Sequence, residues 1–164
     1  SGTGIVVMED REYTATGGGP AARVIRTMRE RESDMRIDAV NTPLKSEEGC
    51  GIFSLAFKDP EHGVAVGGCY LDSLSSVGNC AITSDAGNSW TDIDSLPPNG
   101  YRSCVAYSTA GEFYLTSGRS GIDISFNDGR SWEPLSDEGY FTCALADSTG
   151  WLMGRNGKLA RISW

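Results

Sequence analysis

Thr83-Ser84-Asp85-Ala86-Gly87-Asn88-Ser89-Trp90 and Ser125-Phe126-Asn127-Asp128-Gly129-Arg130-Ser131-Trp132 obey one pattern, Ser/Thr-x-Asp/Asn-x-Gly-x-x-Trp, and their tryptophans stand 42 residues apart. Each position has a physical reason. The hydroxyl of Thr83 or Ser125 and the carboxylate or amide of Asp85 or Asn127 can take backbone N–H groups in a tight turn. Gly87 and Gly129 supply a positive φ that a β-carbon would penalise. Trp90 and Trp132 open the next strand and bury a large ring whose N–H seeks an acceptor. Each copy therefore predicts a self-capped hairpin turn with an indole anchor, and the repeat predicts an array of blades. Asp85 and Asp128 read as turn residues, not as general acids.

The same succession of short strands recurs on either side of these turns. Phe53-Ser54-Leu55-Ala56-Phe57, Ser103-Cys104-Val105-Ala106-Tyr107 and Thr142-Cys143-Ala144-Leu145-Ala146 are apolar runs without alternation, as expected of innermost strands buried on both faces. A turn and a second, glycine-ended strand follow each: Val64-Ala65-Val66-Gly67, Phe113-Tyr114-Leu115-Thr116-Ser117-Gly118 and Trp151-Leu152-Met153-Gly154. Third strands are expected at 81–83, 122–125 and 158–162. The motif turn and a tryptophan-led outer strand complete the unit twice; the last unit has neither. Residues 4–8, 13–17 and 22–27 fit the first three strands of an earlier unit. Its turn, over 27–34, has lost the motif, and residues 23–36 alone could also be read as a short charged helix.

The expected fold is therefore all-β: a β-propeller of four-stranded antiparallel blades, about four of them, at 1–48, 49–97, 98–137 and 138–164. The final blade, lacking an outer strand, leaves an edge that must be covered. The expectation is an arc of a larger ring, completed by another protein chain or a second copy. Bulk composition agrees with a turn-rich β protein: 164 residues include 21 glycines, and only 22% are charged. A net charge of −8 argues against a nucleic-acid surface. No apolar run reaches the roughly 20 residues of a membrane span.

Five cysteines, an odd number without Cys-x-x-Cys spacing, argue against a zinc ribbon or thioredoxin chemistry. Cys69 and Cys80 flank the loop 70–79. One reading is a disulfide stapling that loop, in an oxidising extracytoplasmic, periplasmic or organelle-lumen compartment; the other is two small buried thiols. Cys104 and Cys143 share a register in successive units, which points to core packing. His62 is the single histidine. It cannot form a multi-imidazole metal site or a triad, and capping a hairpin suits it better. No metal or cofactor is expected.

The two turns resemble the Asp-box (BNR) repeat of sialidases and related propellers. More specifically, Gly51-Ile52-Phe53-Ser54-Leu55-Ala56-Phe57 with His62-Gly63-Val64-Ala65-Val66-Gly67-Gly68, Gly100-Tyr101-Arg102-Ser103 and Gly157-Lys158-Leu159-Ala160-Arg161 resemble the C-terminal half of bacterial BNR-repeat proteins of the photosystem II stability/assembly-factor-like group. The resemblance implies a seven-bladed ring about twice this length. It also implies an arginine patch on the disk that contacts subunits of a large photosynthetic or membrane complex.

In a propeller, the outer-to-inner and second-to-third connections share one face. Arg102, Arg119 and Arg155 map there with Tyr101, as do Gly17-Gly18-Gly19 and the loop 70–79. An arginine cluster on an acidic protein can grip carboxylates by bidentate hydrogen bonds; each arginine pairing with a local acid is the competing reading. Sialidase chemistry would need three arginines, a Tyr/Glu pair and an aspartate acid around the central cavity. Glu112 falls in a first-to-second-strand turn on the opposite face, and no acidic residue joins the arginines. The expectation is a non-catalytic binding or assembly propeller; a glycan-binding or sialidase-like propeller fragment is the alternative.

Overall fold

The computed structural model describes residues 4–29 and 34–164, and among these it forms fifteen strands in four antiparallel sheets. Blade 1 contains β1 (Ile5–Val7), β2 (Arg11–Ala15), β3 (Arg23–Arg29) and β4 (Met35–Asn41). Blade 2 contains β5 (Cys50–Phe57), β6 (Gly63–Cys69), β7 (Cys80–Thr83) and β8 (Thr91–Asp92). Blade 3 contains β9 (Cys104–Ser108), β10 (Phe113–Gly118), β11 (Gly121–Ser125) and β12 (Glu133–Ser136). Blade 4 has β13 (Thr142–Ala146), β14 (Thr149–Met153) and β15 (Leu159–Ser163) only. Each sheet pairs its strands in chain order. The helical reading of 23–36 is replaced by β3 and β4, paired from Arg23↔Asn41 to Arg29↔Met35. The decayed turn expected over 27–34 falls largely on residues 30–33, which lie outside the described residues.

Both motif turns close as their chemistry predicts. Thr83 Oγ1 accepts the Gly87 N–H at 2.9 Å, and Asp85 Oδ1 accepts the Ser89 N–H at 2.9 Å. In the second copy Ser125 Oγ accepts the Gly129 N–H at 3.0 Å, and Asn127 Oδ1 accepts the Ser131 N–H at 3.0 Å. The left-handed region holds two residues in each turn, not one: Ala86 (φ 59°) precedes Gly87 (72°), and Asp128 (63°) precedes Gly129 (79°). The indole N–H of Trp132 reaches Gly129 O at 3.0 Å, whereas that of Trp90 is buried with no acceptor among the described residues.

Three apolar clusters glue the blades in sequence. Trp90, from blade 2, is buried with Tyr13 and Val24 of blade 1. Trp132, from blade 3, is buried with Val64 and Val66 of blade 2, and Ile82 and Ile93 pack against that cluster. Leu115 and Ile122 of blade 3 meet Cys143 and Leu152 of blade 4. The turns themselves reach backward. Tyr13 Oη and Arg26 Nη1 both donate to Ala86 O, at 3.1 and 2.9 Å, and Lys58 Nζ pairs with Asp128 Oδ1 at 2.6 Å. Blades 1 and 2 also touch backbone to backbone: a Cβ on Gly17 would lie 2.6 Å from the Gly51 Cα, so the contact requires glycine.

The inner strands differ in burial. β5 and β9 are largely enclosed, but β13 alternates, with Ala144 and Ala146 exposed. The cause is position: among the described residues no further blade covers the far side of blade 4. That far face carries exposed Trp151, Met153 and Leu159, and the free face of blade 1 carries exposed Ile5, Val7, Met35 and Ile37.

Neither reading of Cys69 and Cys80 holds for both residues, and the disulfide reading is corrected. Cys69 is bonded to Cys50, and Cys80 is a buried thiol. The reason is register: Cys50 and Cys69 are direct cross-strand partners at the ends of β5 and β6, while Cys80 lies opposite Val66 and points into the blade 2–blade 3 core. Burial pushes its thiol well above the ordinary range. Cys104 and Cys143 are likewise buried thiols, with their sulfurs 3.6 Å apart across the blade 3–blade 4 interface. His62 sits in the β5–β6 turn, where Asp59 Oδ1 accepts its backbone N–H at 2.8 Å and its Nδ1 lies 3.0 Å from the same carboxylate.

Candidate functional site

Tyr101, Arg102, Arg119 and Arg155 carry the expected site, and the fold treats them differently. Arg102 is 1% exposed. Its Nε lies 2.5 Å from Asp123 Oδ2, and Nη1 donates to Tyr101 O at 3.1 Å and to Ser120 Oγ at 2.9 Å. It is therefore no part of an open arginine face. The residue enters β9 on the side facing β11, where Asp123 is 1% exposed and supplies the opposite charge. A buried guanidinium held by a carboxylate and two oxygens is a structural clamp.

Arg119 and Arg155 are exposed, in the β10–β11 and β14–β15 connections. Arg119 Nη1 makes a long contact of 3.4 Å with Tyr70 O. Neither guanidinium has a carboxylate within ion-pair distance among the described residues. Both line a hollow of about 250 Å³ with Gly139 and Phe141. Both also line a groove of about 360 Å³ whose other walls include Phe53, Tyr70, Tyr101 and Phe141.

The aromatic walls are mutually braced. The Tyr101 ring stands edge-on to Phe53 with centroids 4.9 Å apart, and Phe53 stands edge-on to Tyr70 at 6.3 Å. Burial pushes the Tyr101 hydroxyl up to about 12, against the opposing pull of Arg119, so it is a neutral donor at physiological pH. Ser103 Oγ donates to Phe141 O at 2.7 Å and fixes the backbone of the strand entry that carries Phe141.

The loop beside the groove is held at both ends. The Cys50–Cys69 disulfide closes its base, and the Tyr70 N–H donates to Gly49 O at 3.1 Å. Asn79, fully buried, donates to Pro98 O at 2.8 Å and Gly100 O at 2.7 Å. Between these anchors Leu71, Leu74 and Val77 are exposed apolar side chains. Gly18 joins this face through its N–H to Cys50 O at 2.8 Å. Glu47, Cys50 and Cys69 form the single metal-capable grouping among the described residues, and the disulfide occupies both sulfurs.

Sequence reasoning missed Phe53, Tyr70 and Phe141 as groove residues. A signal existed for one: Tyr140-Phe141-Thr142-Cys143 repeats Tyr101-Arg102-Ser103-Cys104 at the strand entry, so Phe141 occupies the position of the clamped arginine. Glu112, with φ 54°, lies in the β9–β10 turn and not among the groove residues.

No protein-family model matches the sequence, and no curated protein matches it. Solved structures do resemble the chain in shape. YCF48 bound to D1 peptide aligns with a TM-score of 0.62 at 15% identity, over 98% of this chain and 50% of that one. A nidogen/laminin complex gives 0.57 at 16% identity over 94% of this chain and 57% of that one. The GH74 xyloglucanase of Xanthomonas campestris gives 0.58 at 13% identity over 94% of this chain and 27% of that one. The chain thus spans about half the length of the first of these structures. At such identities the likeness speaks for the fold alone, and with four successive antiparallel sheets it makes the chain a four-bladed, all-β propeller structure.

Proposed function

We propose that the chain is a non-catalytic binding module that captures a peptide or protein segment carrying carboxylates and apolar side chains, in the groove beneath Arg119 and Arg155. The observation that carries this reading is two exposed guanidiniums, without acidic partners among the described residues, over an aromatic-walled groove. Bidentate carboxylate recognition is what an unpaired guanidinium offers, and the neutral Tyr101 hydroxyl adds a donor. The exposed Leu71, Leu74 and Val77 extend the surface with the apolar area protein partners use. The Asp-box reading of the two turns, and the finer likeness to photosystem assembly-factor-like propellers with a larger, seven-bladed ring, belong to the same proposal. One structural neighbour, YCF48, is itself bound to a peptide. The apolar end faces of blades 1 and 4 support completion of the ring by further blades.

The second reading is a glycan-binding propeller, favoured by the aromatic walls and by the xyloglucanase neighbour. Hydrolysis is the weaker form of it, because glycosidases use a carboxylate pair and no carboxylate among the described residues lines the groove. The test is titration of an acidic, aromatic-containing peptide library on the wild-type chain and on Arg119→Ala/Arg155→Ala. Loss of at least tenfold in affinity, with unchanged melting temperature, supports the proposal. Equal affinity would reject it, and oligosaccharide binding that survives without the arginines would favour the second reading. A charge-assisted hydrogen bond contributes about 1.5–3 kcal/mol, which sets the tenfold threshold.

A further inference from the structure

The Cys50–Cys69 staple has a neighbour that the disulfide does not use. Glu47, Cys50 and Cys69 bring a carboxylate oxygen and two sulfurs within 4.8 Å of one another. A tight turn builds half of this convergence. The Cys50 N–H donates to Glu47 O at 2.9 Å, and Gly49 inside the turn takes φ 78°. The turn brings its first and fourth side chains together: Cys50 Sγ lies 3.6 Å from Glu47 Oε1, and 3.7 Å from Glu48 O. Two residues between ligands is the spacing of the chelating turns in structural zinc sites. Cys69 enters from the facing strand, as the direct cross-strand partner of Cys50.

The surroundings suit a cation held through sulfur. Cys50 and Cys69 are buried, whereas the Glu47 carboxylate opens to solvent and gives a polar path to them. Lys45 Nζ engages Glu47 Oε1 at 2.7 Å, but an exposed ion pair of this kind is weak and yields to a divalent charge. Two thiolates and a carboxylate form a borderline-soft set that selects zinc-like ions over magnesium or calcium. Three protein ligands leave the fourth tetrahedral position to water.

We propose that Glu47, Cys50 and Cys69 are a redox-gated zinc site, a disulfide under oxidising conditions and a Zn²⁺ chelate under reducing ones. Two molecules of a small thiol reductant cleave the S–S bond, which leaves two protein thiols and one disulfide of the reductant. Zn²⁺ then takes both sulfurs as thiolates and releases two protons. The oxidised form excludes the cation, because neither bonded sulfur can become a thiolate. Either form closes the base of the loop 70–79. The site depends on no property of the arginine groove.

The test is titration of Co²⁺, a coloured stand-in for Zn²⁺, onto the 164-residue chain after reduction by a phosphine. A near-ultraviolet thiolate-to-cobalt band is expected, saturating at one cobalt per chain and bleached by Zn²⁺. The oxidised chain should give no band. Cys50→Ser/Cys69→Ser, which keeps Cys80, Cys104 and Cys143, should give none either. Glu47→Gln should bind cobalt about tenfold more weakly or worse, the loss expected even for a partner outside the ligand shell. Should reduction alone unfold the chain, the ions are added before the phosphine, and strand content by circular dichroism should survive with Zn²⁺ but not with Mg²⁺. No band in the reduced wild type, a band that persists in the oxidised chain or the double variant, equal affinity of Glu47→Gln, or strand content lost alike with both ions would overturn the proposal.

Discussion

Asp85 and Asn127 hold the same position in the two turns, and only the first can titrate. Burial by itself raises the Asp85 carboxyl, but hydrogen bonds from the Ser89 hydroxyl and backbone and from Thr83 outweigh it and hold the group below its ordinary value. A carboxylate depressed on folding contributes stability that is complete above its unfolded value and lost as pH falls through the folded one. Urea unfolding of Asp85→Asn should therefore show a flatter decline below about pH 4 than wild type, since an amide supports the second turn at any pH. Two arginines make the other contrast at this scale. Arg102→Ala should cost about 3–5 kcal/mol, because it strands a buried Asp123; Arg119→Ala should stay within about 0.5 kcal/mol. Chemical denaturation of both variants separates the clamp from the candidate ligand-binding residue. The sequence could place both arginines on one face, but only the cross-sheet position of Asp123 tells which is exposed. Long-range register of that kind leaves no local mark.

Among the elements, legibility followed how locally each was determined. The side-chain capping of the motif turns was readable because donors and acceptors lie within a few residues; the left-handed Ala86 and Asp128 and the indole of Trp90, without an acceptor among the described residues, were not. β10 was expected over 113–118 and occupies Phe113–Gly118. The disulfide was misread because it depends on which residues face each other across β5 and β6, and the β-bulge between Ile52 and Ser54 obscures that register in the sequence. Replacing Cys50 and Cys69 with serine should lower stability by about 3 kcal/mol, the loop-closure value for a staple of this span, and dithiothreitol should have the same effect on the wild type. Cys80→Ser should leave the disulfide intact, which mass spectrometry after alkylation would check. Trp132→Ala should cost about 3–5 kcal/mol, as expected for truncating a buried aromatic.

For the molecule as a whole, the two end faces dominate. Exposed Ile37 on blade 1 and Trp151 on blade 4 belong to apolar faces that a propeller blade ordinarily turns toward its neighbour. The native chain should therefore bind a hydrophobic dye, and Ile37→Lys combined with Trp151→Glu should lower that fluorescence by at least half without loss of strand content. Undiminished fluorescence would place the exposed apolar area elsewhere. Arg119 and Arg155 place local positive charge on a chain whose net charge is −8. Capture of an acidic segment should consequently weaken with added salt.

The backward reach of the turns carries a further consequence, in the order of events during synthesis. Ala86 O meets Tyr13 and Arg26, and Asp128 meets Lys58: each turn docks on residues made earlier. A chain leaving the ribosome amino end first always presents a finished receptor before the turn that needs it. The seat of each turn thus lies in the preceding blade, so a change that unfolds one blade removes the support of the turn that follows it.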